Sequence, residues 1–311
     1  MTKPLLLILV MVSEARRAAL GELFELLYAP DPPRRAEAIA QHGSRVRAVL
    51  TNGTTGLRPD EIDAMPQLTL ACALGAGYEG MAVEHARARG IVLANGAGTN
   101  DACVADHAFA LLLATVRAIP ALDRACRAGV WREALPMQPM LAGKRLGVLG
   151  LGTIGRRIAQ RAIGFDMAVG YHNRKPVPDV VHAWFDSAEA LAAWCDVLVI
   201  ATPGGSATRH LVNATVLRAL GSGGYVVNVA RGSVVDTDAL AQALRDGVIA
   251  GAGLDVYESE PAPPAPLLDL PNVVLTPHVA GWSPESVQAS VDLFIENARR
   301  HLAGESVLTP I

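Results

Sequence analysis

Short apolar runs alternate with segments of helical periodicity along the whole chain. In the N-terminal part these runs predict buried strands over residues 5–12, 48–50, 68–73 and 91–94, followed by a long apolar helix over residues 101–118. In the remainder they predict strands over residues 146–149, 168–171, 197–202, 225–230, 251–256 and 273–276, with a final helix over residues 286–301. Apolar strands that alternate with helices are typical of parallel sheets covered by helices on both faces.

One predicted strand runs directly into a glycine-rich turn and then into an amphipathic helix. The turn reads Gly-Leu-Gly-Thr-Ile-Gly over residues 150–155. In a dinucleotide-binding turn, Gly150 permits the tight bend, Gly152 lets the backbone approach a pyrophosphate, and Gly155 lets the helix pack closely on the strand. The N–H groups at the helix start then hold the phosphates. The sequence therefore predicts a dinucleotide site here.

The position of this turn predicts the domain organisation. Several strand–helix units precede it, and the helix over residues 286–301 follows the last predicted strand, so we expect that helix to cross back onto the N-terminal domain. The sequence thus predicts an α/β protein with two Rossmann-like, doubly wound parallel-sheet domains and a cleft between them. The substrate domain is discontinuous, over residues 1–98 and 282–311, and the dinucleotide-binding domain covers residues 99–281.

The end of the second strand after the glycine-rich turn predicts which dinucleotide binds. An acidic residue there usually grips the adenine-ribose hydroxyls of NAD. This strand instead ends in His-Asn-Arg-Lys-Pro over residues 172–176, without a carboxylate. The amide of Asn173 and the cations of Arg174 and Lys175 suit a 2′-phosphate. The sequence favours NADP(H) over NAD(H); the alternative is a solvated basic turn closed by Pro176.

Three residues that can do chemistry follow predicted strands of the second domain. Arg231 can bind a carboxylate bidentately and polarise the adjacent carbonyl. His278 can exchange a proton near neutral pH, and Glu260 can hold its imidazole in one tautomer and favour the charged form. Each residue alone could equally be structural. Because all three follow the carboxyl ends of strands, we expect them to form one catalytic set.

Six motifs, in the expected order and spacing, carry a family resemblance that spans nearly the whole chain. They begin at Gly75, Ala97, Gly150, Asn228, Gly253 and Thr276, the last two reading Gly-Leu-Asp-Val-Tyr-Glu-Ser-Glu-Pro and Thr-Pro-His. With them the chain resembles the D-isomer-specific 2-hydroxyacid dehydrogenases. Within that family it is most similar to the NADP-preferring glyoxylate/hydroxypyruvate reductases and the hydroxyphenylpyruvate reductases.

The resemblance implies NADPH-dependent reduction of a small 2-keto acid (glyoxylate, hydroxypyruvate or an aryl pyruvate) to the D-2-hydroxy acid. It makes His278 the acid/base, Glu260 its partner and Arg231 the carboxylate ligand. The implied substrate-binding residues are Asn52, Gly53, Leu74, Gly75, Ala76, Gly77, Arg231, His278 and Trp282. The implied cofactor-binding residues are Gly150, Gly152, Thr153, Ile154, Gly155, Asn173, Arg174, Lys175, Thr202, Pro203, Val229, Ala230, Arg231, Asp255, His278 and Gly281.

Two tryptophans and the long apolar helix bear on assembly and specificity. Trp282 could form a wall of the substrate pocket or serve only in packing. Trp131 resembles a family position that reaches toward the partner subunit's active site. The helix over residues 101–118 is apolar on more than one face, as expected of a homodimer interface in the dinucleotide-binding domain, although an intrachain core helix would look the same.

Composition excludes several other classes of partner. The 311 residues include 27 Lys and Arg against 30 Asp and Glu, a net charge of −3, so no basic surface for nucleic acid or an acidic membrane is indicated. The apolar run over residues 5–12 is too short to span a bilayer and lacks a signal-peptide cleavage site. The four cysteines share no metal-binding or disulfide spacing, so we expect small buried apolar residues, no metal, and a cytoplasmic location.

Two competing functions remain open. The same scaffold supports formate or phosphite dehydrogenases, but formate dehydrogenases usually carry Gln where this chain has Glu260. A dinucleotide-sensing corepressor could retain the whole Arg, Glu and His set without catalysis. Such proteins usually carry extended tails, whereas this chain ends soon after its last predicted helix.

Overall fold

The computed structural model describes residues 3–311, and these residues form two compact units. The first unit comprises the described residues up to Asn100 together with Trp282–Ile311, and the second is Asp101–Gly281. The first junction therefore lies after Asn100, where the sequence analysis placed it after residue 98. Which unit binds substrate and which binds the dinucleotide stays a prediction.

The first unit is built on a five-stranded parallel sheet with the strand order β2-β1-β3-β4-β5. Its strands are β1 Leu5–Ile8, β2 Glu25–Tyr28, β3 Val46–Asn52, β4 Leu70–Leu74 and β5 Val92–Ala94. Its helices are α1 Glu14–Leu23, α2 Pro32–His42, α3 Pro59–Asp63, α4 Val83–Ala88 and the final helix α11 Pro284–Leu302. The strand order reverses between β1 and β3, and such a switch point is where ligands bind in open parallel sheets.

The final helix packs within the first unit, as its predicted return to the N-terminal domain requires. It begins after Ser283, whose hydroxyl accepts a hydrogen bond from the Ser286 N–H at 3.1 Å, and Pro284 occupies its first turn. Its buried face includes Val291 and Phe294, which lie in one apolar cluster with the β1 strand. Burial of this face against the sheet is what holds the helix, since its opposite face is polar.

The second unit is built on a seven-stranded parallel sheet with the order β12-β11-β10-β9-β6-β7-β8. Its strands are β6 Arg145–Leu149, β7 Ala168–His172, β8 Ala183–Phe185, β9 Val197–Ile200, β10 Tyr225–Asn228, β11 Gly251–Leu254 and β12 Val273–Leu275. Its helices are α5 Asp101–Val116, α6 Ile119–Arg127, α7 Thr153–Ile163, α8 Ala188–Trp194, α9 Ala214–Leu220 and α10 Thr237–Arg245. Counted from β6, this is the Rossmann order with one further strand at the edge. The prediction of two doubly wound parallel sheets is confirmed.

Two strands, β2 and β8, are absent from the sequence-based prediction. Both lie at the edge of a sheet, and none of their residues is fully buried. An edge strand has one neighbour and an exposed side, so its burial is incomplete. The other two edge strands, β5 and β12, were nevertheless predicted. The predicted strand over residues 5–12 was too long, because the strand ends at Ile8 although Val10 and Val12 remain buried.

The long apolar helix predicted over residues 101–118 is α5, and a second helix that the sequence analysis did not predict follows it. The first, α5, ends at Val116, Ala118 adopts a left-handed conformation with φ of 51°, and α6 follows with Pro120 in its first turn. Leu111, Leu112 and other apolar residues of α5 are buried in the core of the second unit, whereas α6 has no buried residue. Within residues 3–311 no single helix is long and apolar enough to cross a membrane, although the α5–α6 pair, bent by 56°, meets that test by length and composition.

Candidate active site

The three predicted catalytic residues follow neighbouring strands at one edge of the second sheet. Arg231 follows β10, Glu260 follows β11 and His278 follows β12. These strands are adjacent and parallel, so their carboxyl ends lie at the same edge of the sheet. Arg231 and His278 are nearly fifty residues apart in the sequence, but both lie at the same short stretch of sheet edge.

Glu260 and His278 form a direct pair. The His278 Nδ1 lies 2.7 Å from the Glu260 Oε2, and the other carboxylate oxygen of Glu260 accepts the Tyr257 N–H at 2.7 Å. The bond to Glu260 raises the pKa of His278 above its ordinary value, and burial only partly opposes this. Burial acts to raise the pKa of Glu260, but the bonds from His278 and Tyr257 outweigh it and the pKa falls. The pair therefore favours a carboxylate beside an imidazolium.

The loop that carries His278 is anchored to a buried carboxylate. The Asp255 side chain accepts the N–H groups of Val279 at 2.9 Å and Ala280 at 2.8 Å, and its backbone carbonyl accepts the His278 N–H at 2.8 Å. Burial acts to raise the pKa of Asp255, but the bonds that its side chain receives from His107, Thr276, Val279 and Ala280 lower it. His278 sits at a left-handed φ of 53°. A non-glycine residue is rarely stable there without such support.

The loop that carries Arg231 is shaped by a buried asparagine and two glycines. Asn228 accepts the Ala230 N–H and donates to the Arg231 carbonyl, both at 3.0 Å. A Cβ at Gly232 would overlap the backbone at Tyr257, so this loop packs directly on the segment before Glu260. A Cβ at Gly204 would lie 2.9 Å from the Arg231 Cγ. Small residues thus fix where the arginine side chain leaves the backbone.

The glycine-rich turn has the geometry of an anion site. Gly150 adopts a φ of 102° with the Thr202 backbone against it, and a Cβ at Gly155 would strike the Gly150 carbonyl oxygen. By contrast, a Cβ at Gly152 would meet nothing within 4 Å. Gly152 precedes α7 without a capping side chain, and across residues 3–311 no acceptor meets the N–H groups of Gly152, Thr153 or Ile154. Open space over free N–H groups at a helix start fits a dinucleotide pyrophosphate.

Asn173 connects the end of β7 to the glycine-rich turn by a hydrogen bond. Its Oδ1 accepts the Leu151 N–H at 2.6 Å, and its backbone carbonyl accepts the Trp184 Nε1–H at 3.1 Å. Arg174 and Lys175 follow, both exposed, and neither has an ion pair or side-chain hydrogen bond to any residue that the structure describes. Two solvated cations therefore stand beside the turn where the adenine ribose of a bound dinucleotide would be recognised.

The predicted substrate residues of the first unit lie on two loops at the carboxyl edge of its sheet. The β3 loop is residues 53–56, after Asn52, and the β4 loop is residues 75–80, after Leu74. Asn52 Oδ1 accepts the N–H groups of Thr54 at 3.0 Å and Thr55 at 2.6 Å, so it shapes its own loop. In the described chain no group accepts the N–H of Gly75, Ala76 or Gly77. These three N–H groups can bind an anion such as a carboxylate.

The remaining predicted site residues differ in what they expose. Val229 and Ala230 bury their side chains, so only their backbone can contact a cofactor. Pro203 is exposed after β9, and Thr202 and Gly281 are half-buried. Trp282 is 72% exposed and Trp131 is 68% exposed. Neither side chain therefore has a packing role within this chain.

Several residues that support the site were not predicted. His107, in α5, lies 2.9 Å from the Thr276 hydroxyl, which donates to Asp255 at 2.6 Å. The Tyr257 hydroxyl donates to the Thr276 carbonyl at 2.6 Å. All of them lie inside the six motifs, His107 at the end of the one that begins at Ala97, so motif membership was the available signal. No pattern of spacing pairs a helix residue with a strand end.

The remaining expectations from the sequence concern metal ligands and cysteines. Among residues 3–311 no group of three or more His, Cys, Asp or Glu side chains could hold a metal ion. The cysteines are all free, but the expectation that each is buried was wrong for Cys126, which is exposed on α6, and for the half-buried Cys103. Helix α6 has no buried face, which explains the exposure.

The fold and the site define the class of protein. A Rossmann-ordered sheet carries a glycine-rich anion site and, on neighbouring strand ends, an Arg, Glu and His set. Residues 109–280 match the D-isomer specific 2-hydroxyacid dehydrogenase, NAD binding domain. The chain belongs to the D-isomer-specific 2-hydroxyacid dehydrogenase family, and it is an enzyme that uses a nicotinamide dinucleotide.

Similar proteins cover nearly the full chain. Glyoxylate/hydroxypyruvate reductase A of Arabidopsis thaliana is 35% identical over 293 residues, covering 94% of either chain. Hydroxyphenylpyruvate reductase of Plectranthus scutellarioides is 34% identical over 293 residues, again 94% of either chain. The NADPH-dependent glyoxylate/hydroxypyruvate reductase of Sinorhizobium meliloti, solved with NADP and malonate, is 37% identical with a TM-score of 0.92, covering 100% of this chain and 97% of that one.

The Glu260–His278 pair generates a prediction about proton affinity. Replacing Glu260 by Gln removes the negative charge that raises the pKa of His278, so that pKa should fall and the imidazole should lose its proton at lower pH. Ring NMR titration of His278 measures this directly. Glu258→Gln is the matched control, because Glu258 bonds to His210 instead. An unchanged His278 titration in Glu260→Gln would contradict the assignment of Glu260 as the source of the shift.

Proposed function

We propose that this enzyme reduces a small 2-keto acid with NADPH to the D-2-hydroxy acid. The observation that carries the proposal is the 2.7 Å pair between Glu260 and His278, with Arg231 on the neighbouring strand end. An imidazolium held beside a carboxylate is a proton donor near neutral pH, and a guanidinium beside it suits the carboxylate of a keto acid. Relatives named as glyoxylate/hydroxypyruvate and hydroxyphenylpyruvate reductases support the same substrate class.

The proposed roles follow from the chemistry of each side chain. Arg231 binds the substrate carboxylate and polarises the adjacent keto group. His278 gives its proton to the keto oxygen, and Glu260 stabilises the imidazolium beforehand and holds its tautomer. When bound, the nicotinamide supplies the hydride. In the reverse direction neutral His278 accepts the proton of the hydroxy acid.

The first unit is proposed to supply substrate recognition. The N–H groups of Gly75, Ala76 and Gly77, together with the end of β4 at Leu74, bind the substrate carboxylate. Asn52 and Gly53 line the space for the substrate's third carbon, and Trp282 forms a wall of it. Glyoxylate, hydroxypyruvate and aryl pyruvates are the candidate substrates.

NADP(H) is proposed as the preferred cofactor. The pyrophosphate binds the glycine-rich turn from Gly150 to Gly155, and the nicotinamide end meets Gly281 and the backbone of Val229 and Ala230. Asp255 was also predicted to bind the cofactor, but it is fully buried and supports this end only through its bonds to Val279 and Ala280. Thr202 and Pro203 contact the adenosine. The 2′-phosphate pairs with Arg174 and Lys175, whose charges no carboxylate at the end of β7 neutralises. The NADP-bound reductase of Sinorhizobium meliloti supports this preference.

The chain is further proposed to be a cytoplasmic homodimer that associates through the second unit. Helix α6 is strongly amphipathic yet has no buried residue. Exposed apolar side chains cluster in sequence around it, with Ile119 at 52%, Trp131 at 68%, Met137 at 99% and Met140 at 68% exposure. Such a run is unusual on a monomer and suits a self-complementary interface. The free thiols agree with a reducing compartment.

Turnover tests the proposed reaction. We expect NADPH absorbance to fall when the enzyme is mixed with glyoxylate, hydroxypyruvate or 4-hydroxyphenylpyruvate, with one acid clearly preferred. His278→Ala should lower kcat by about a hundredfold or more, because the proton donor is lost, while Ser259→Ala, on the exposed loop before Glu260, should not. Chiral chromatography should find the D-product. Tight NADPH binding without turnover of any keto acid would refute the reaction.

Cofactor selectivity tests the role of the two cations. Arg174→Ser combined with Lys175→Ser should raise the KM for NADPH by about tenfold to a hundredfold, because charge-assisted bonds to the 2′-phosphate are lost. The KM for NADH should change little. Arg218→Ser, an exposed cation on α9, is the control. Equal losses with both cofactors, or no loss with NADPH, would be incompatible with the proposed preference.

Sedimentation velocity tests the assembly. The wild type should sediment as twice its chain mass of 32.6 kDa. Met137→Glu should shift it to the single-chain mass, because a charge is placed in the apolar interface. Val181→Glu is a matched control, since Val181 is 97% exposed but lies outside the α6 region. A wild type that sediments at the single-chain mass at micromolar concentration would rule the dimer out.

A further inference from the structure

The β3 and β4 loops of the first unit are joined backbone to backbone. The Gly80 N–H donates to the Gly53 carbonyl at 2.8 Å, and the Leu57 N–H donates to the Gly80 carbonyl at 3.1 Å. A Cβ at Gly53 would overlap the Gly77 carbonyl, and a Cβ at Gly56, whose φ is 62°, would overlap Gly80. No side chain separates the loops, so a displacement of one displaces the other.

A buried ion pair lies directly beneath the β3 loop. Arg35, in α2, donates from Nε and Nη2 to the carboxylate of Glu61, in α3, and their side chains are only 10% and 4% exposed. Glu61 also accepts the Arg58 N–H at 2.8 Å. The two charges are thus held together in a buried position beneath the β3 loop. Removing one partner would leave the other as an unpaired buried charge.

The remaining guanidinium donors hold the loop itself. Arg35 Nη1 donates to the Thr55 carbonyl at 3.1 Å and Nη2 donates to the Gly56 carbonyl at 3.3 Å. The Gly56 carbonyl also accepts the hydroxyl of the fully buried Thr51 at 2.7 Å. A planar fork can satisfy the carboxylate and both carbonyls together, which a lysine ammonium cannot. The position of the loop is therefore tied to the plane of one guanidinium.

We propose that Arg35, oriented by Glu61, is a positioning residue that fixes the β3 and β4 loops together and sets discrimination at the third carbon of the substrate. The inference rests on the proposed function, which places Asn52 and Gly53 beside that carbon and the β4 loop at the carboxylate. Hydroxypyruvate has a third carbon and glyoxylate has none. A shifted β3 loop therefore harms hydroxypyruvate more than glyoxylate.

The test compares Arg35→Lys with Thr51→Val and with Arg45→Lys. Arg35→Lys keeps the charge but loses the fork, and Thr51→Val removes the second donor to the Gly56 carbonyl without touching the ion pair. Arg45 pairs with Glu25 on the surface, with side chains 58% and 52% exposed, and serves as the matched control. The readouts are the melting temperature, the KM and kcat for each acid, and the KM for NADPH.

Arg35→Lys should raise the KM for hydroxypyruvate by about tenfold or more, since a loop displacement of about 1 Å suffices for such losses. The hydroxypyruvate-to-glyoxylate ratio of kcat/KM should fall, while the KM for NADPH stays constant. Thr51→Val should move the same ratio in the same direction by less, and Arg45→Lys should not move it. A purely structural role would lower the melting temperature of folded variants and leave this ratio unchanged, which would overturn the proposal.

Backbone hydrogen exchange separates this proposal from the proposed function. The N–H groups of Gly56, Leu57, Gly80 and Ala82 donate to backbone carbonyls in the two loops or directly beside them. Their exchange should quicken in Arg35→Lys and Thr51→Val but not in Arg45→Lys, whether or not the enzyme reduces either acid. Unchanged exchange would overturn the positioning role even if turnover is observed. Failure of the wild type to reduce any keto acid would instead refute the proposed function.

Discussion

The catalytic set depends on one buried carboxylate. Asp255 is fully buried at the end of β11, and such a group is stable only when strong donors surround it. The donors are the backbone N–H groups of Val279 and Ala280 and the Thr276 hydroxyl, all in the segment around His278. The solvation requirement of the carboxylate therefore dictates the path of that segment and offsets the left-handed φ of His278. The bonds to the buried Asp255, rather than the contact to Glu260, therefore fix the backbone position of His278.

The sequence predicted the interior strands well, but it missed two edge strands and one helix. Interior strands have two neighbours and covered faces, so apolar runs mark them directly, as in residues 146–149 for β6. The edge strands β2 and β8, which have no fully buried residue, were missed, although the edge strands β5 and β12 were predicted. The predicted end of α5 at Ala118 lies two residues beyond the observed end, and α6 was missed; the left-handed φ of Ala118 and the following Pro120 separate the two helices. Apolar patterns in the sequence indicate which residues are buried, but they do not indicate where the backbone changes direction.

The same limit applies to the site. The Arg, Glu and His set could be placed because all three follow predicted strands, but the role of asparagine could not. Asparagines end or directly follow four strands. Asn52, Asn95 and Asn228 each accept a backbone N–H of the loop that comes next, whereas Asn173 accepts the N–H of Leu151 in the neighbouring glycine-rich turn. A polar residue at a strand end looks like a ligand contact in the sequence. Here its carbonyl oxygen builds the loop, and the free backbone N–H groups are left to face the ligand.

The structural role of Asn173 bears on the choice of cofactor. An aspartate at that position could accept the same Leu151 N–H, so the geometry of the turn does not require the neutral amide. The difference is the charge. A carboxylate would lie next to Arg174 and Lys175 and neutralise part of their field, and it would repel a 2′-phosphate. The amide keeps the backbone connection between β7 and the glycine-rich turn and leaves both cations unopposed. On the proposed function, the loop can therefore be built without losing the positive potential that recognises NADP.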